Sequence, residues 1–301
     1  MKVCIIGPSK KFISGISYFT IDLANAFSEK TDVSVVTLRN LLPKFLFPGK
    51  SRVGKNISNL SFNKKIKVFN GIDWYLIPSF FKALKFIKKE NPDVIILQWW
   101  TSSTAHTYLL LKLLNKLYLK KKLVFEFHEV LDPLENSILP LRLYVRFVSK
   151  ILFDNKDNYV THSNHDRDLL IKKYNLSRNR FNTLHFGVNE NSISKNIKKN
   201  KEFNILFFGL IRPYKGVEYL IEAFNKISKK YINKFRLFII GETWENHTLP
   251  KELIEASHYK DRITFVNRYV NDNEVNNYFS IANVAVFPYT RASQSAAAHK
   301  A

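Results

Sequence analysis

The stretch FFGLIRPYKGVEYLIEAF, from Phe207 to Phe224, decides the fold of the second half of the chain. It opens with an apolar run that ends at Gly209, as expected of a strand buried inside a parallel sheet. Beyond a short turn, Val217, Leu220 and Phe224 recur at helical spacing, which predicts an amphipathic helix. A strand that passes through a turn into a helix is the repeating unit of α/β folds.

The same alternation of strands and helices runs along the whole chain. Apolar strands such as KVCIIG and DVSVVTL alternate with helical patterns, whereas residues 40–75 form a less regular stretch. Such alternation predicts parallel sheets joined by right-handed crossovers. In the second half, the predicted strands are 203–208, 235–240, 262–266 and 283–287, and the predicted helices are 215–229, 250–257 and 271–281.

A polar segment divides this pattern into two domains. Residues 190–202, ENSISKNIKKNKE, are basic and without periodicity, which is typical of a linker. The sequence therefore predicts a doubly wound, Rossmann-like domain over 1–189 and a second, incomplete one over 203–301, facing a cleft. Ligands of such sheets bind beyond the carboxyl ends of the strands, so the turns there are the candidate site.

The composition favours anionic partners. The 301 residues include 47 Lys and Arg against 25 Asp and Glu, a net charge of +22. This excess suits nucleic acid, anionic lipid or phosphorylated substrates, although biased codon usage also explains it, and no nucleic-acid-binding module is recognisable. The sequence has no apolar run of 18 residues and no signal-peptide pattern at its start, and its single cysteine, Cys4, excludes an internal disulfide. We therefore expect a cytoplasmic protein.

Two turns in the first half have a functional and a structural interpretation. Ser14 and Gly15 open the first helix, where free N–H groups suit a phosphate or a sugar, but an ordinary turn fits as well. Gln98, Trp99 and Trp100 end an apolar strand, where aromatic faces suit sugar rings and core packing is the alternative.

Two histidines follow predicted strands. His128 and Glu129 leave the end of LVFEF, and an imidazole there can exchange a proton with a substrate hydroxyl or bind a phosphate. His162 is placed similarly, and Ser163 after it is predicted to cap the next helix. A structural role is the alternative for both histidines.

The turn of the opening stretch contains two cations, Arg212 and Lys215, followed by Gly216. A cation at a helix N-terminus opposes the helix dipole by a few tenths of a kcal/mol, about 0.3–1. The presence of these cations therefore predicts a bound anion, and a diphosphate fits best. The alternative is an exposed turn in a lysine-rich chain.

At this point the chain resembles glycosyltransferase family 4, the retaining group with the GT-B fold. The resemblance rests mainly on GLIRPYKG followed by YLIEAF. PDVIILQWW, FHEVLDP, LHFGVN and ANVAVFPYTRASQS fall in the family's order.

The resemblance implies a nucleotide-diphosphate sugar as donor and no metal or other cofactor. Lys215 matches the family lysine, while the family arginine would fall at Leu210, so Arg212 takes its role two residues later. His128 matches the histidine that faces the donor sugar. The remaining implied contacts are Ser14, Gly15, Gly209, Gly216, Ser293 and Ser295 on the donor, and Gln98, Trp99, Trp100 and Glu129 on the acceptor or sugar side.

The chain departs from the family at its end. The second domain has 99 residues from Phe203, and the family's two donor-binding glutamates would fall at Ser293 and Ala301. We therefore expect a truncated form that is weak or inactive as a transferase.

The main interpretation is a hexosyltransferase-type enzyme that builds cell-surface polysaccharide or glycolipid on a glycan or lipid-linked acceptor. A non-catalytic nucleotide-sugar-binding protein, a nucleic-acid binder and a sugar-nucleotide epimerase are the alternatives. The basic helix over 139–153 either packs on the core with a solvated face or contacts an anionic membrane from the cytoplasm.

Overall fold

The computed structural model describes residues 1–9, 15–40, 61–73, 76–130, 139–185, 187, 202–244, 247–291, 295 and 297–298. The chain divides into two compact units, Met1–His185 and Phe186–Ala301. The predicted linker at 190–202 lies outside the described residues except for Glu202, so the predicted domain boundaries stay a prediction.

The first unit is a seven-stranded parallel sheet in the order β3-β2-β1-β4-β5-β6-β7. Its elements are β1 Lys2–Pro8, α1 Gly15–Ser28, β2 Asp32–Asn40, β3 Lys67–Asp73, α2 Ile77–Glu90, β4 Val94–Trp99, α3 Ala105–Leu114, β5 Lys122–Phe127, α4 Leu139–Leu152, β6 Asn158–Thr161, α5 Asn164–Tyr174 and β7 Phe181–Thr183.

The alternation of side chains along β1 explains why helices cover both faces of this sheet. Cys4 and Ile6 pack in one core cluster with residues of α2, α3 and α4, whereas Val3 and Ile5 pack in another with Ala24 of α1. Successive strand residues point to opposite faces, so an uninterrupted apolar run gives a sheet that is buried on both sides.

The less regular stretch 40–75 contains a strand that was not predicted, β3. Within the described part of the chain, this strand is at the edge of the sheet and β2 is its one pairing partner. Its sequence, KVFNGID, includes a glycine, and Val68 is 39% exposed. An edge strand buries less apolar surface, so its sequence pattern is weaker.

The second unit is a four-stranded parallel sheet in the order β10-β9-β8-β11. The predicted strands at 203–208 and 235–240 are confirmed, and the helix predicted at 215–229 is shorter, with one 3₁₀ turn, Pro213–Lys215, before it. The elements are β8 Phe203–Phe208, α6 Val217–Asn225, β9 Phe235–Ile240, α7 Leu249–Glu255, β10 Ile263–Val266, α8 Asp272–Ile281 and β11 Val284–Ala285.

Candidate functional site

In the first unit, the carboxyl ends of β5 and β6 bring two histidines together. His128 directly follows β5 and His162 directly follows β6, and these strands are parallel neighbours. The centroids of the two imidazole rings are 5.0 Å apart, and Phe19 of α1 contacts both rings edge-on. Both histidines are buried.

Glu126 of β5 lies between these histidines. Its Oε2 is 3.7 Å from Nε2 of His128, its Oε1 is 3.7 Å from Nε2 of His162, and Gln98 donates a hydrogen bond of 3.2 Å to Oε2. Burial alone would raise the pKa of the Glu126 carboxyl, but His128, His162 and Gln98 together hold that pKa below its ordinary value. The carboxylate is therefore ionised although it is buried.

The tautomer of His162 is fixed by the backbone. Its Nδ1 lies 2.9 Å from the carbonyl oxygen of Leu184. Because a carbonyl only accepts hydrogen bonds, Nδ1 carries a proton, and in the neutral ring Nε2 then keeps its lone pair. Burial, followed by the nearby His128, lowers the pKa of His162, which favours this neutral form.

Gln98 joins this cluster to α1 and β1. Thr20 donates a hydrogen bond of 2.5 Å to Oε1 of Gln98. A Cβ at Gly7 would lie 2.2 Å from the same oxygen, so only glycine leaves room for the amide. Gln98 is 0% exposed. The prediction that its side chain contacts a sugar is wrong, because the amide is used inside the fold.

Trp99 is also a core residue. Its ring is 3% exposed and lies 6.0 Å from Phe127 and 5.1 Å from Phe153, measured between ring centroids. The prediction that Trp99 contacts a sugar is therefore wrong, because its ring packs in the core. Trp100 is partly buried against the same cluster, and Glu129 is half-buried beside His128.

Three further residues of the first unit were singled out in the sequence: Ser14, Gly15 and Ser163. Ser14 lies outside the described residues, and Gly15 is the first residue of α1. Ser163 caps α5, since its Oγ accepts a hydrogen bond of 3.0 Å from the N–H of Asp166. The predicted capping role of Ser163 is confirmed.

In the second unit, the turn after β8 holds both predicted cations on aromatic rings. The guanidinium carbon of Arg212 is 4.9 Å from the centroid of the Trp244 ring. The ammonium nitrogen of Lys215 is 3.9 Å from the ring centroid of Tyr289 and 5.5 Å from that of Tyr214. Cation–π contacts of this kind fix the position of a charge without neutralising it.

Gly216 lets this turn pack against the segment after β11. It has φ 63, and a Cβ there would lie 2.1 Å from the carbonyl oxygen of Pro288. The N–H of Thr290 donates a hydrogen bond to the carbonyl of Tyr214. Gly209 directly follows β8, next to this turn, and the hydroxyl of Ser295 is 3.2 Å from that of Tyr289. Ser293 lies outside the described residues.

Sequence reasoning missed Glu126, Thr20, Trp244 and Tyr289. The charge of Glu126 inside the apolar strand LVFEF was the available signal, because charged side chains are buried only when they are paired. The sequence contains no comparable signal for the two rings under the cations.

Two family models match the chain. Residues 13–192 match the model described as Glycosyltransferase Family 4, and residues 188–296 match the model described as Glycosyl transferases group 1. The O-antigen chain mannosyltransferase RfbU of Salmonella typhimurium is 26% identical over 183 residues, which are 56% of this chain and 50% of RfbU. The chain thus spans about half the length of this relative.

Two solved structures show a similar fold. HepE of Anabaena, in complex with UDP, is 14% identical with a TM-score of 0.64, over 97% of this chain and 75% of HepE. Sucrose-phosphate synthase from Thermosynechococcus elongatus is 13% identical with a TM-score of 0.67, over 98% of this chain and 77% of the synthase. At such identities the likeness shows the fold alone, in agreement with the predicted α/β class.

Proposed function

This chain belongs to glycosyltransferase family 4, whose GT-B fold the sequence predicted, and we propose that it transfers a sugar from a nucleotide-diphosphate sugar to a glycan or lipid-linked acceptor. The process would be the synthesis of cell-surface polysaccharide or glycolipid. The similarity to RfbU, an O-antigen chain mannosyltransferase, supports this choice of process. The UDP bound to HepE supports a nucleotide-diphosphate donor.

The observation that carries the proposal is the pair of cations beyond the carboxyl end of β8. Arg212 and Lys215 lie in the turn between this strand and α6, which is where open α/β sheets bind ligands. A departing diphosphate gains negative charge as the sugar leaves. The two cations would stabilise that charge without a metal ion, and the α6 N-terminus would add its dipole.

The proposed reaction retains the configuration at the anomeric carbon. The acceptor hydroxyl would approach on the side of the leaving diphosphate, and a diphosphate oxygen would take its proton. In this mechanism the protein positions the reactants and stabilises charge. We assign His128 to the donor sugar, Gly15, Gly209, Gly216 and Ser295 to the donor diphosphate, and Trp100 and Glu129 to the acceptor side.

A binding experiment tests the donor site. Affinities of UDP, GDP and ADP for the full chain would be measured by calorimetry, followed by Lys215→Ala and Arg212→Ala. A hydrogen bond to a charged group contributes about 1.5–3 kcal/mol, so each substitution should weaken the preferred nucleotide by about tenfold or more.

Lys230 offers a matched control, because its ammonium nitrogen is 5.4 Å from the ring centroid of Tyr231 in the same unit. Lys230→Ala should leave the affinity unchanged. Equal affinities for Lys215→Ala and wild type would contradict the assignment. Tight binding with no transfer product from any donor would favour the alternative of a non-catalytic binding protein.

We also propose that the first unit contacts an anionic membrane through α4. One row of this helix exposes large apolar side chains, and the neighbouring row is basic. The apolar row is Leu139, Leu143, Phe147 and Ile151, of which Phe147 is 69% exposed, and the basic row is Arg142, Arg146 and Lys150. Because the opposite face packs on the core through Val145 and Val148, the core-packed and membrane-contacting interpretations of this helix are compatible.

The same helical layer extends this surface. Phe81 of α2 is 55% exposed, and Leu117, in the turn that follows α3, is 65% exposed. Apolar side chains beside lysines and arginines are the pattern of helices that lie in a membrane interface. Among the described residues, no helix has the length and hydropathy needed to cross a bilayer.

Vesicle flotation tests the membrane contact. The wild-type chain should float with vesicles that contain phosphatidylglycerol and much less with neutral phosphatidylcholine, and Phe147→Glu and Arg146→Glu should each reduce the bound fraction severalfold. Leu249→Glu replaces a side chain of the second unit that is 42% exposed and should change nothing. Equal flotation of Phe147→Glu and wild type would contradict this part of the proposal.

A further inference from the structure

The buried cluster of the first unit offers three metal-binding groups at one point. Glu126, His128 and His162 each present one ligand atom, and these atoms lie within 4.8 Å of one another. All three side chains are buried, with exposures of 5%, 6% and 4%. They come from the ends of two neighbouring strands, so the sheet itself holds them together.

The distances inside the cluster suit an ion better than direct hydrogen bonds. The two contacts of the Glu126 carboxylate to imidazole nitrogens measure 3.7 Å, which is longer than a good hydrogen bond. Two ligand atoms bound to one tetrahedral zinc ion, at about 2.1 Å each, are about 3.4 Å apart. The three ligand atoms lie within 4.8 Å of one another, so side-chain rotations that shorten the longest separation by roughly 1 Å would bring them to coordination distance.

Two partners outside the cluster orient its ligands as the outer partners of metal ligands do. The carbonyl of Leu184 accepts from Nδ1 of His162, which leaves Nε2 of the neutral ring as a donor to a metal. Gln98 donates to the carboxylate of Glu126 and is itself held by Thr20. These two hydrogen bonds orient the imidazole of His162 and the carboxylate of Glu126 so that their ligand atoms face the cluster.

We propose that Glu126, His128 and His162 bind a divalent transition-metal ion of the Zn²⁺ and Co²⁺ class. Two imidazoles and one carboxylate suit such ions, whereas Mg²⁺ requires mostly oxygen ligands. This site goes beyond the proposed transfer reaction, which uses no metal. If His128 faces the donor sugar as proposed above, an ion on its nitrogen competes with that role, so the ion inhibits transfer.

Cobalt spectroscopy tests the site without any sugar substrate, so its result does not depend on the proposed transferase activity. The tag-free full chain, stripped with EDTA, would be titrated with Co²⁺ while visible absorption is recorded. We expect one ion per chain with the intense bands of low-coordinate Co²⁺, displaced by Zn²⁺ and unaffected by a large excess of Mg²⁺.

Three variants identify the ligands. Glu126→Gln and His162→Gln should each weaken Co²⁺ binding at least tenfold, while His165→Gln, an exposed histidine at the start of α5, should bind as wild type does. A thermal-unfolding scan with and without Zn²⁺ separates loss of metal binding from loss of stability. Bound metal should raise the Tm of wild type and not that of Glu126→Gln. Co²⁺ affinities that are the same in all three variants, or no low-coordinate band at one equivalent, would overturn the proposal.

Discussion

The carboxyl edges of the two sheets use charge in opposite ways. The edge of the first unit buries an ionised carboxylate with two imidazoles and a hydrogen-bonded amide, whereas the edge of the second unit holds its cations on aromatic faces. A buried polar network is stable only when its members are paired, so changes there should reduce folding stability. If an anion binds these cations as proposed, changes there should reduce ligand affinity.

The largest expected loss of stability is that of Gly7→Ala in the first unit. The new Cβ would lie 2.2 Å from Oε1 of Gln98 and would displace the amide from both Thr20 and Glu126. Leaving buried groups unpaired should lower the free energy of unfolding by about 3 kcal/mol. Urea unfolding measures this change.

Gly71→Ala is the control within the same unit, because its Cβ would meet only the Phe69 ring, at 3.4 Å. It should change the free energy of unfolding by less than about 1 kcal/mol. Equal losses for Gly7→Ala and Gly71→Ala would show that the network does not depend on the space at Gly7.

A smaller loss is expected for Gly216→Ala in the second unit. Alanine must adopt φ 63, and its Cβ would meet the Pro288 carbonyl at 2.1 Å. The left-handed conformation costs about 1–2 kcal/mol, and the turn must also move, so nucleoside diphosphate affinity should fall along with stability. Gly187→Ala, with no atom within 4 Å of its Cβ, is the control and should change neither.

The buried thiol of Cys4 should make the stability of the first unit depend on pH. Burial raises the pKa of the Cys4 thiol from 9.0 to about 12, so the unfolded chain loses this proton first. Stability that depends on the protonated thiol is fully present below pH 9 and is lost as the pH rises towards 12. From pH 9 to 10, wild type should lose about 1 kcal/mol more than Cys4→Ala in urea unfolding. Parallel pH profiles of the two proteins would contradict the burial of Cys4.

The smallest stability effect is expected for Lys215→Met. Its contact with the Tyr289 ring should contribute about 0.5–1 kcal/mol to folding, which a thermal-unfolding scan would register as a small shift. The same substitution should nevertheless weaken nucleoside diphosphate binding by about tenfold or more, as charged hydrogen bonds contribute about 1.5–3 kcal/mol. A large fall in stability would mean that the cations of the second unit are structural, as the acid–imidazole cluster is.

The sequence was sufficient to predict the bounds of strands that are covered on both faces of the sheet. β8 and β9 were predicted to the residue, because a short, mostly apolar run flanked by turns has few alternative structures. β3 was missed because an edge strand carries little of that pattern. The start of α6 was placed two residues early, since a 3₁₀ turn and a helix have similar sequences at their junction.

The candidate site was predicted by position and not by the direction of its side chains. His128 and His162 were found because they follow strands. Trp99 was assigned to a sugar although the two-residue period of β4 places it on the core face with Ile95 and Leu97. Gln98 points to the other face, and its partners come from α1 and β5, which no local pattern reveals.

A transfer assay with the full chain tests the proposed transferase activity most directly. Purified protein would be incubated with a panel of nucleotide-diphosphate sugars and a lipid-linked glycan fraction, and nucleoside diphosphate release and the anomeric configuration of the product would be followed. We predict weak but acceptor-dependent release, a product that retains the donor's configuration, and loss of release in Lys215→Ala but not in Lys230→Ala. Release that is the same in wild type and Lys215→Ala, or a product of inverted configuration, would contradict it.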